Sequence, residues 1–105
     1  MAKLSDTAVL ILLMVDSPHV YVSWYGDWHR ETWMASPHRG HGTKANPRAS
    51  VGRKLINEGL ITDAPAHRKL TLTPEGREEL LKYRAKGWSL VTGVGHPPRV
   101  VKPAA

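Results

Sequence analysis

Residues 49–83, ASVGRKLINEGLITDAPAHRKLTLTPEGREELLKY, decide the fold because three regular patterns follow one another along them. The first pattern predicts a helix over residues 47–57, with an apolar stripe at Val51, Leu55 and Ile56. Asn46 and Pro47 suit its start, since asparagine caps helices and proline is tolerated at the first helical position. Gly59 suits its end, where a left-handed residue is favoured.

A hairpin and a second helix are predicted after this helix. Residues 60–62 are expected to form a strand and residues 63–67 a turn. Residues 68–73 then return as a second strand with Leu70 and Leu72 facing inward. Thr73 is expected to cap the next helix, because Pro74 and Glu75 suit its first turn; that helix carries Leu80, Leu81 and Tyr83 and stops at Gly87.

The helix end "RKLINEGLI", the short hairpin and "LTLTPEGREELL" together resemble the second half of MarR-like winged-helix domains. The resemblance covers about residues 49–83. It implies a small α+β winged-helix domain, with a recognition helix at about 47–58, a two-stranded wing at about 60–73 and double-stranded DNA as partner. The run over residues 4–15 is similar to the first helix of that family.

The polar face of the predicted recognition helix contains residues at helical spacing: Ser50, Arg53, Lys54 and Asn57. An α-helix fits the major groove of DNA, where arginine and lysine reach guanine acceptors or phosphates. Arg48, near the helix start, is a candidate phosphate contact. The competing interpretation is an ordinary solvated face, but residues 32–57 contain no acid, and a solvated face usually mixes both signs.

Further candidate DNA contacts lie in the wing and in the loop before the helix: His67, Arg68, Lys69, Arg39 and Lys44. Wings of the resembling family touch phosphate or enter the minor groove, where narrow A·T tracts attract arginine. The alternative is a turn decorated with charge. For the whole chain, a formal net charge of +6 favours a polyanionic partner.

The N-terminal half departs from the resembling family, which usually has a short second helix directly before the recognition helix. Here residues 4–15 predict a buried helix with Ser5 or Asp6 as its cap. Residues 19–25 alternate like a strand, and Gly26-Asp27 is expected to turn. Residues 28–35 fit either a second strand or a short helix, with a reduced second helix near 31–35 as one option, and residues 36–46 predict a loop.

This aromatic insertion supports a second hypothesis of a different class. Alternation predicts that Trp24 faces inward, and one or two tryptophans are expected in the core because the chain has no Phe. An exposed cluster would instead bind unpaired bases or a protein partner. In that hypothesis the chain is an inhibitor or adaptor of the kind phages direct against host machinery, and its working surface contains Tyr21, Tyr25, Trp28 and Trp33.

Composition argues against other classes. The chain has no cysteine, so disulfides and thiolate metal sites are excluded, and a cytoplasmic location is expected. The histidines at 29, 38 and 41 match no metal-binding spacing, so no metal or other cofactor is predicted. No catalytic motif is present and no enzyme activity is predicted. The apolar run at 8–15 is too short to span a membrane, and no interaction with a membrane is expected.

Residues 88–105 contain three prolines and two glycines, and are expected to form an extended C-terminal tail outside a single domain at 1–87. MarR-like proteins typically dimerise through terminal helices. Because no such helix is predicted at either end, the usual dimer of the family is not expected here.

Overall fold

A computed structural model describes residues 3–18, 20–27, 30–37, 49–65, 68–93 and 96–103, and shows a small α+β domain in this part of the chain. Its helices are α1 (Asp6–Asp16), α2 (Ala49–Asn57) and α3 (Pro74–Ala85). Its strands are β1 (Val20–Asp27), β2 (Arg30–Pro37), β3 (Ile61–Thr62), β4 (Thr71–Leu72), β5 (Ser89–Gly93) and β6 (His96–Val101). The strands form three antiparallel pairs, β1 with β2, β3 with β4 and β5 with β6.

Helix α1 lies at the centre of the hydrophobic core, as its uniformly apolar sequence predicts. The Ser5 side chain caps it by accepting a hydrogen bond from the Ala8 N–H at 3.2 Å. Seven of its residues are buried: Ala8, Val9, Ile11, Leu12, Leu13, Met14 and Val15. The helix contacts α2, α3, β1, β4, β5 and β6, so both other helices and four of the strands pack against it.

The segment after α1 is a long antiparallel hairpin. Strand β1 confirms the predicted strand, and Val20 and Val22 are buried as the pattern predicts. The turn expected at Gly26-Asp27 is wrong, because both residues continue β1 and Asp27 pairs with Arg30. A reduced helix near 31–35 is also wrong, since those residues lie in β2, where cross-strand hydrogen bonds outweigh local preference. Within the predicted loop, residues 36–37 belong to β2 and residues 38–46 lie outside the described part.

A backbone hydrogen bond joins the β3–β4 hairpin to the β1–β2 hairpin. The Leu70 N–H, just before β4, donates to the Val22 carbonyl of β1 at 2.8 Å. Leu70 and Leu72 are both buried, which confirms their predicted inward orientation. The β3–β4 hairpin is therefore held to the core by side-chain burial and to β1 by this bond.

The extended tail predicted after residue 87 is wrong. Strands β5 and β6 form a hairpin that contacts α1, with Leu90 opposite Val100 in the register. Trp88, just before β5, is 9% exposed and meets the Tyr83 ring edge-on at 5.7 Å. Each strand has only one neighbour within the described residues, so the prolines of β6 are compatible with the strand.

Candidate nucleic-acid interface

The candidate interface includes α2, which a tight connection joins to α3. We call this connection, formed by Gly59, Leu60, Thr73 and Gly76, the α2–α3 joint. Gly59 ends α2 with a φ of 78°, in the left-handed region that favours glycine. The Thr73 hydroxyl donates to the Gly59 carbonyl at 2.5 Å and accepts from the Gly76 N–H at 3.0 Å. The Thr73 N–H donates to the Leu60 carbonyl at 3.1 Å. One threonine thus ties the end of α2 to the start of α3.

Gly76 allows the two backbones of the joint to approach each other. A Cβ atom placed on this glycine would lie 1.9 Å from the Leu60 carbonyl oxygen. No side chain fits at that distance without moving backbone. The joint therefore sets the position of α2 and of the hairpin that follows it relative to α3.

Helix α2 presents its predicted polar residues on one side and its apolar residues to the core. Ser50, Lys54 and Asn57 are exposed, and the Arg53 side chain is 32% exposed. On the other side Leu55 is buried, while Val51 and Ile56 are half-buried against the core cluster. We call Ser50, Arg53, Lys54 and Asn57 the outer face of α2; the structure brings these four predicted residues together.

Two acids contact the cations of the outer face. Asp63, just after β3, accepts a hydrogen bond from the Arg53 guanidinium at 3.3 Å. Its other carboxylate oxygen accepts from the Ala64 N–H at 2.9 Å. Lys54 lies 3.9 Å from Glu58, one helical turn later. Through the Arg53–Asp63 contact, the outer face of α2 adjoins the end of β3 in the β3–β4 hairpin.

The loop of the hairpin adds two exposed cations, Arg68 and Lys69. Neither forms an ion pair with any of the residues that the structure describes. The Arg68 N–H donates to the Pro65 carbonyl at 3.1 Å, which gives the loop a local turn. Both side chains are accordingly available to an external anion.

Lys3 adds a further cation beside α2, and no sequence pattern pointed to it as a site residue. A groove of about 370 Å³ separates the start of α1 from α2, with Lys3 and Lys54 both lining it. Both lysines are exposed. The only sequence signal was a lysine just before the α1 cap, and its proximity to α2 depends on how the two helices pack.

Charge on α2 and the β3–β4 hairpin differs from charge on α3. Among described residues, the first region has four cations, Arg53, Lys54, Arg68 and Lys69, and two acids, Glu58 and Asp63. Helix α3 has three of each sign, which are Arg77, Lys82, Arg84, Glu75, Glu78 and Glu79. Helix α3 therefore carries acids and bases in equal number, as is usual for a solvent-exposed helix surface, whereas α2 and the β3–β4 hairpin have an excess of positive charge.

Several predicted site residues lie outside the described part of the chain: Trp28, Arg39, Lys44, Arg48 and His67. Tyr21, Tyr25 and Trp33 belong to β1 and β2, where the structure describes the backbone register and not these side chains. In that register Tyr21 is opposite Ser36, and Tyr25 is opposite Thr32. The histidines at 29, 38 and 41 and the side chain of Trp24 also lie outside the description.

Comparisons with known proteins gave no relative. No protein-family model, no curated protein and no solved structure matched the chain. Within the described ranges, no three histidines or acids lie close enough together to hold a metal ion. The helices of those ranges are also too short or too polar to cross a membrane.

Proposed function

We propose that this chain is a small DNA-binding protein of the winged-helix type, a transcriptional regulator in which α2 enters the major groove and the β3–β4 hairpin is the wing. The observation that carries the proposal is the excess of positive charge on α2 and the β3–β4 hairpin, where the described cations Arg53, Lys54, Arg68 and Lys69 outnumber two acids. Duplex DNA presents a regular array of phosphates to such a surface, and phosphate contacts supply most non-specific affinity.

The residues divide into two roles under this proposal. Arg68 and Lys69 contact phosphates, because they are exposed and lie in the loop of the hairpin. Arg53 reads a guanine edge, since its planar guanidinium fits the O6 and N7 acceptors of guanine in the major groove. Ser50 and Asn57, on the same helix side, add hydrogen bonds to bases or phosphates.

The order of elements supports the winged-helix interpretation in its second half. Helix α2, the β3–β4 hairpin and helix α3 follow one another with short connections, as in the family that residues 49–83 resemble. In its first half, the β1–β2 hairpin and residues 38–48 occupy the place in the chain of the short second helix of that family. Strand β2 contacts α2, so this hairpin packs beside the proposed recognition helix.

The direct test is fluorescence anisotropy with a random-sequence duplex of about 30 base pairs over a salt series. We expect affinity to fall steeply as salt rises, because each neutralised phosphate releases counterions and adds about 0.9 to the log–log slope. A chain that fails to bind at low salt would contradict the proposal. That outcome would favour the second hypothesis, in which Tyr21, Tyr25, Trp28 and Trp33 bind a protein partner.

Arg53→Ala tests the assignment of the surface. Loss of a bidentate guanine contact weakens binding to a selected duplex by about 1–3 kcal/mol. Arg84→Ala is a matched control, because Arg84 also pairs with an aspartate of another element, Asp16, at 2.8 Å, but lies on α3. We expect the control to leave DNA affinity within about twofold of wild type, as removal of a cation outside the interface does.

A further inference from the structure

Asp63 occupies an unexpected place for an acid. It lies directly after β3, the first strand of the proposed wing, and beside Arg53, to which the proposed function assigns base recognition. A carboxylate there repels the phosphates that the rest of the surface attracts. The ion pair also adds little to folding, because the carboxylate side chain is 57% exposed and exposed pairs are worth only about 0–1 kcal/mol. Neither DNA affinity nor the contribution of the ion pair to folding accounts for the contact between Asp63 and Arg53.

The geometry of the carboxylate gives a third possibility. One oxygen of Asp63 accepts from the Ala64 backbone N–H at 2.9 Å, so the group is anchored to the chain that carries it. The other oxygen lies 3.3 Å from a terminal nitrogen of Arg53. An arginine side chain has many rotamers, and holding it in one before binding reduces the entropy lost on contact.

We infer that Asp63 is a positioning residue for sequence discrimination: it orients the Arg53 guanidinium toward base edges and away from phosphates. The inference rests on the proposed DNA-binding function. Orientation raises affinity for the preferred duplex, because the arginine meets guanine in its reading geometry. The negative charge at the same time lowers affinity for every duplex. Asp63 therefore increases the ratio between preferred and other sequences.

The same helix provides an internal control. Lys54 and Glu58 are also an ion pair, but their charged atoms are 3.9 Å apart and the lysine side chain is 76% exposed. A lysine has no planar donor set to orient. Glu58→Gln thus removes one negative charge from the same surface without releasing Arg53. Any effect specific to Asp63→Asn reports positioning, whereas any effect common to both variants reports charge.

The experiment first selects a preferred duplex from a random pool with the wild-type chain. Dissociation constants are then measured for that duplex and for a scrambled one. Asp63→Asn should bind the scrambled duplex more tightly and lower the preferred-to-scrambled ratio about tenfold, as expected for one misplaced guanine contact. Glu58→Gln should tighten binding to both duplexes and leave the ratio within about twofold, because phosphate contacts carry no sequence information.

A double-mutant cycle isolates the coupling to Arg53. In the Arg53→Ala background, Asp63→Asn should leave the ratio unchanged, because no guanidinium remains to be oriented. If Asp63→Asn still lowered the preferred-to-scrambled affinity ratio about tenfold in that background, the inference would be overturned. Equal preferred-to-scrambled ratios for the single variants Asp63→Asn and Glu58→Gln would overturn it as well. Binding of all duplexes with equal affinity would overturn it while sustaining DNA binding. If the wild-type chain bound no duplex, the proposed function itself would fail.

Folding of the variants is checked by thermal unfolding followed by circular dichroism. Asparagine keeps a side-chain oxygen that can accept from the Ala64 N–H, so Asp63→Asn is expected to unfold within a few degrees of wild type. Asp63→Ser provides a second variant with a hydroxyl acceptor in place of the amide. Both variants should lower the preferred-to-scrambled affinity ratio by the same factor, because neither has the negative charge that pairs with Arg53.

Discussion

The α2–α3 joint and the outer face of α2 come from the same stretch of chain but are built in opposite ways. In the joint, Thr73 and Gly76 contact the backbone of residues 59–60, and at Gly76 the approach leaves no space for a Cβ atom. On the outer face, Ser50, Lys54 and Asn57 point away from the core and are exposed. The joint holds the fold in place, and the outer face is open to a partner.

This difference shows what a sequence motif can report. The letters LTPEG, which contributed to the resemblance, correspond to a cap, a helix start and a close backbone approach. They describe how two helices are connected and carry no DNA chemistry. The cations that support the proposed function lie outside this motif. Variants of the two regions should therefore separate stability from binding.

The largest effect is expected from Gly76→Ala. Alanine gains about 1 kcal/mol of helix propensity, but its Cβ would lie 1.9 Å from the Leu60 carbonyl oxygen. Since backbone must move to relieve this clash, we expect a net loss of about 2–3 kcal/mol in the free energy of unfolding. Denaturant unfolding measures the loss.

Gly59→Ala is the matched control for Gly76→Ala, because the same methyl group enters the same joint. A Cβ on Gly59 meets no atom within 4 Å, so only the positive φ of 78° opposes it. That strain costs about 1 kcal/mol. If both variants lost the same free energy, close packing at Gly76 would not be what distinguishes the joint.

Thr73→Val should have an intermediate effect. It removes the hydroxyl that caps α3 and donates to the Gly59 carbonyl, and loss of a helix cap typically costs about 0.5–2 kcal/mol. Thr71→Val is the control, since Thr71 is exposed in β4 and valine suits a strand. The unfolding midpoint of Thr73→Val should be clearly lower than that of Thr71→Val. Equal midpoints would argue against a stabilising role for the Thr73 hydroxyl.

The smallest change in stability is expected on the outer surface. Lys69→Ala should alter the free energy of unfolding by less than about 0.5 kcal/mol, as is usual for exposed positions. In the salt series, it should lower the log–log slope of DNA binding by about one, since one phosphate contact is lost. A slope equal to that of wild type would remove Lys69 from the interface and leave Arg68 as the proposed phosphate contact of the hairpin loop.

The local parts of the fold were predictable from sequence. The Ser5 and Thr73 caps, the positive φ of Gly59 and the apolar core helix all depend on residues within a few positions of one another. The C-terminal hairpin was not predictable in this way, because prolines suggested an open chain. Its strands are stabilised by contact with α1, which is distant in sequence.

The candidate site likewise has a part that local sequence predicts and a part that depends on tertiary structure. Helical spacing was enough to place Ser50, Arg53, Lys54 and Asn57 on one face, and the structure confirms that grouping. Spacing did not indicate Asp63, because its contact with Arg53 depends on how the chain leaves β3. Likewise, Leu80 and Leu81 look equivalent in the sequence, yet Leu80 is 2% exposed and Leu81 is 64% exposed.

The sequence alone determined the caps of α1 and α3, the end of α2 at Gly59 and which side of α2 is polar, because capping and periodicity act through neighbouring residues. Tertiary structure decided that the C-terminal residues pair as strands, that Lys3 lies beside α2 and that Asp63 meets Arg53. The β5–β6 hairpin packs on α1, and Lys3 lies across a groove from α2, so both placements join segments distant in the sequence. Asp63 lies ten positions after Arg53, and their contact depends on how the chain turns after α2 and β3, which no periodic pattern of residues encodes.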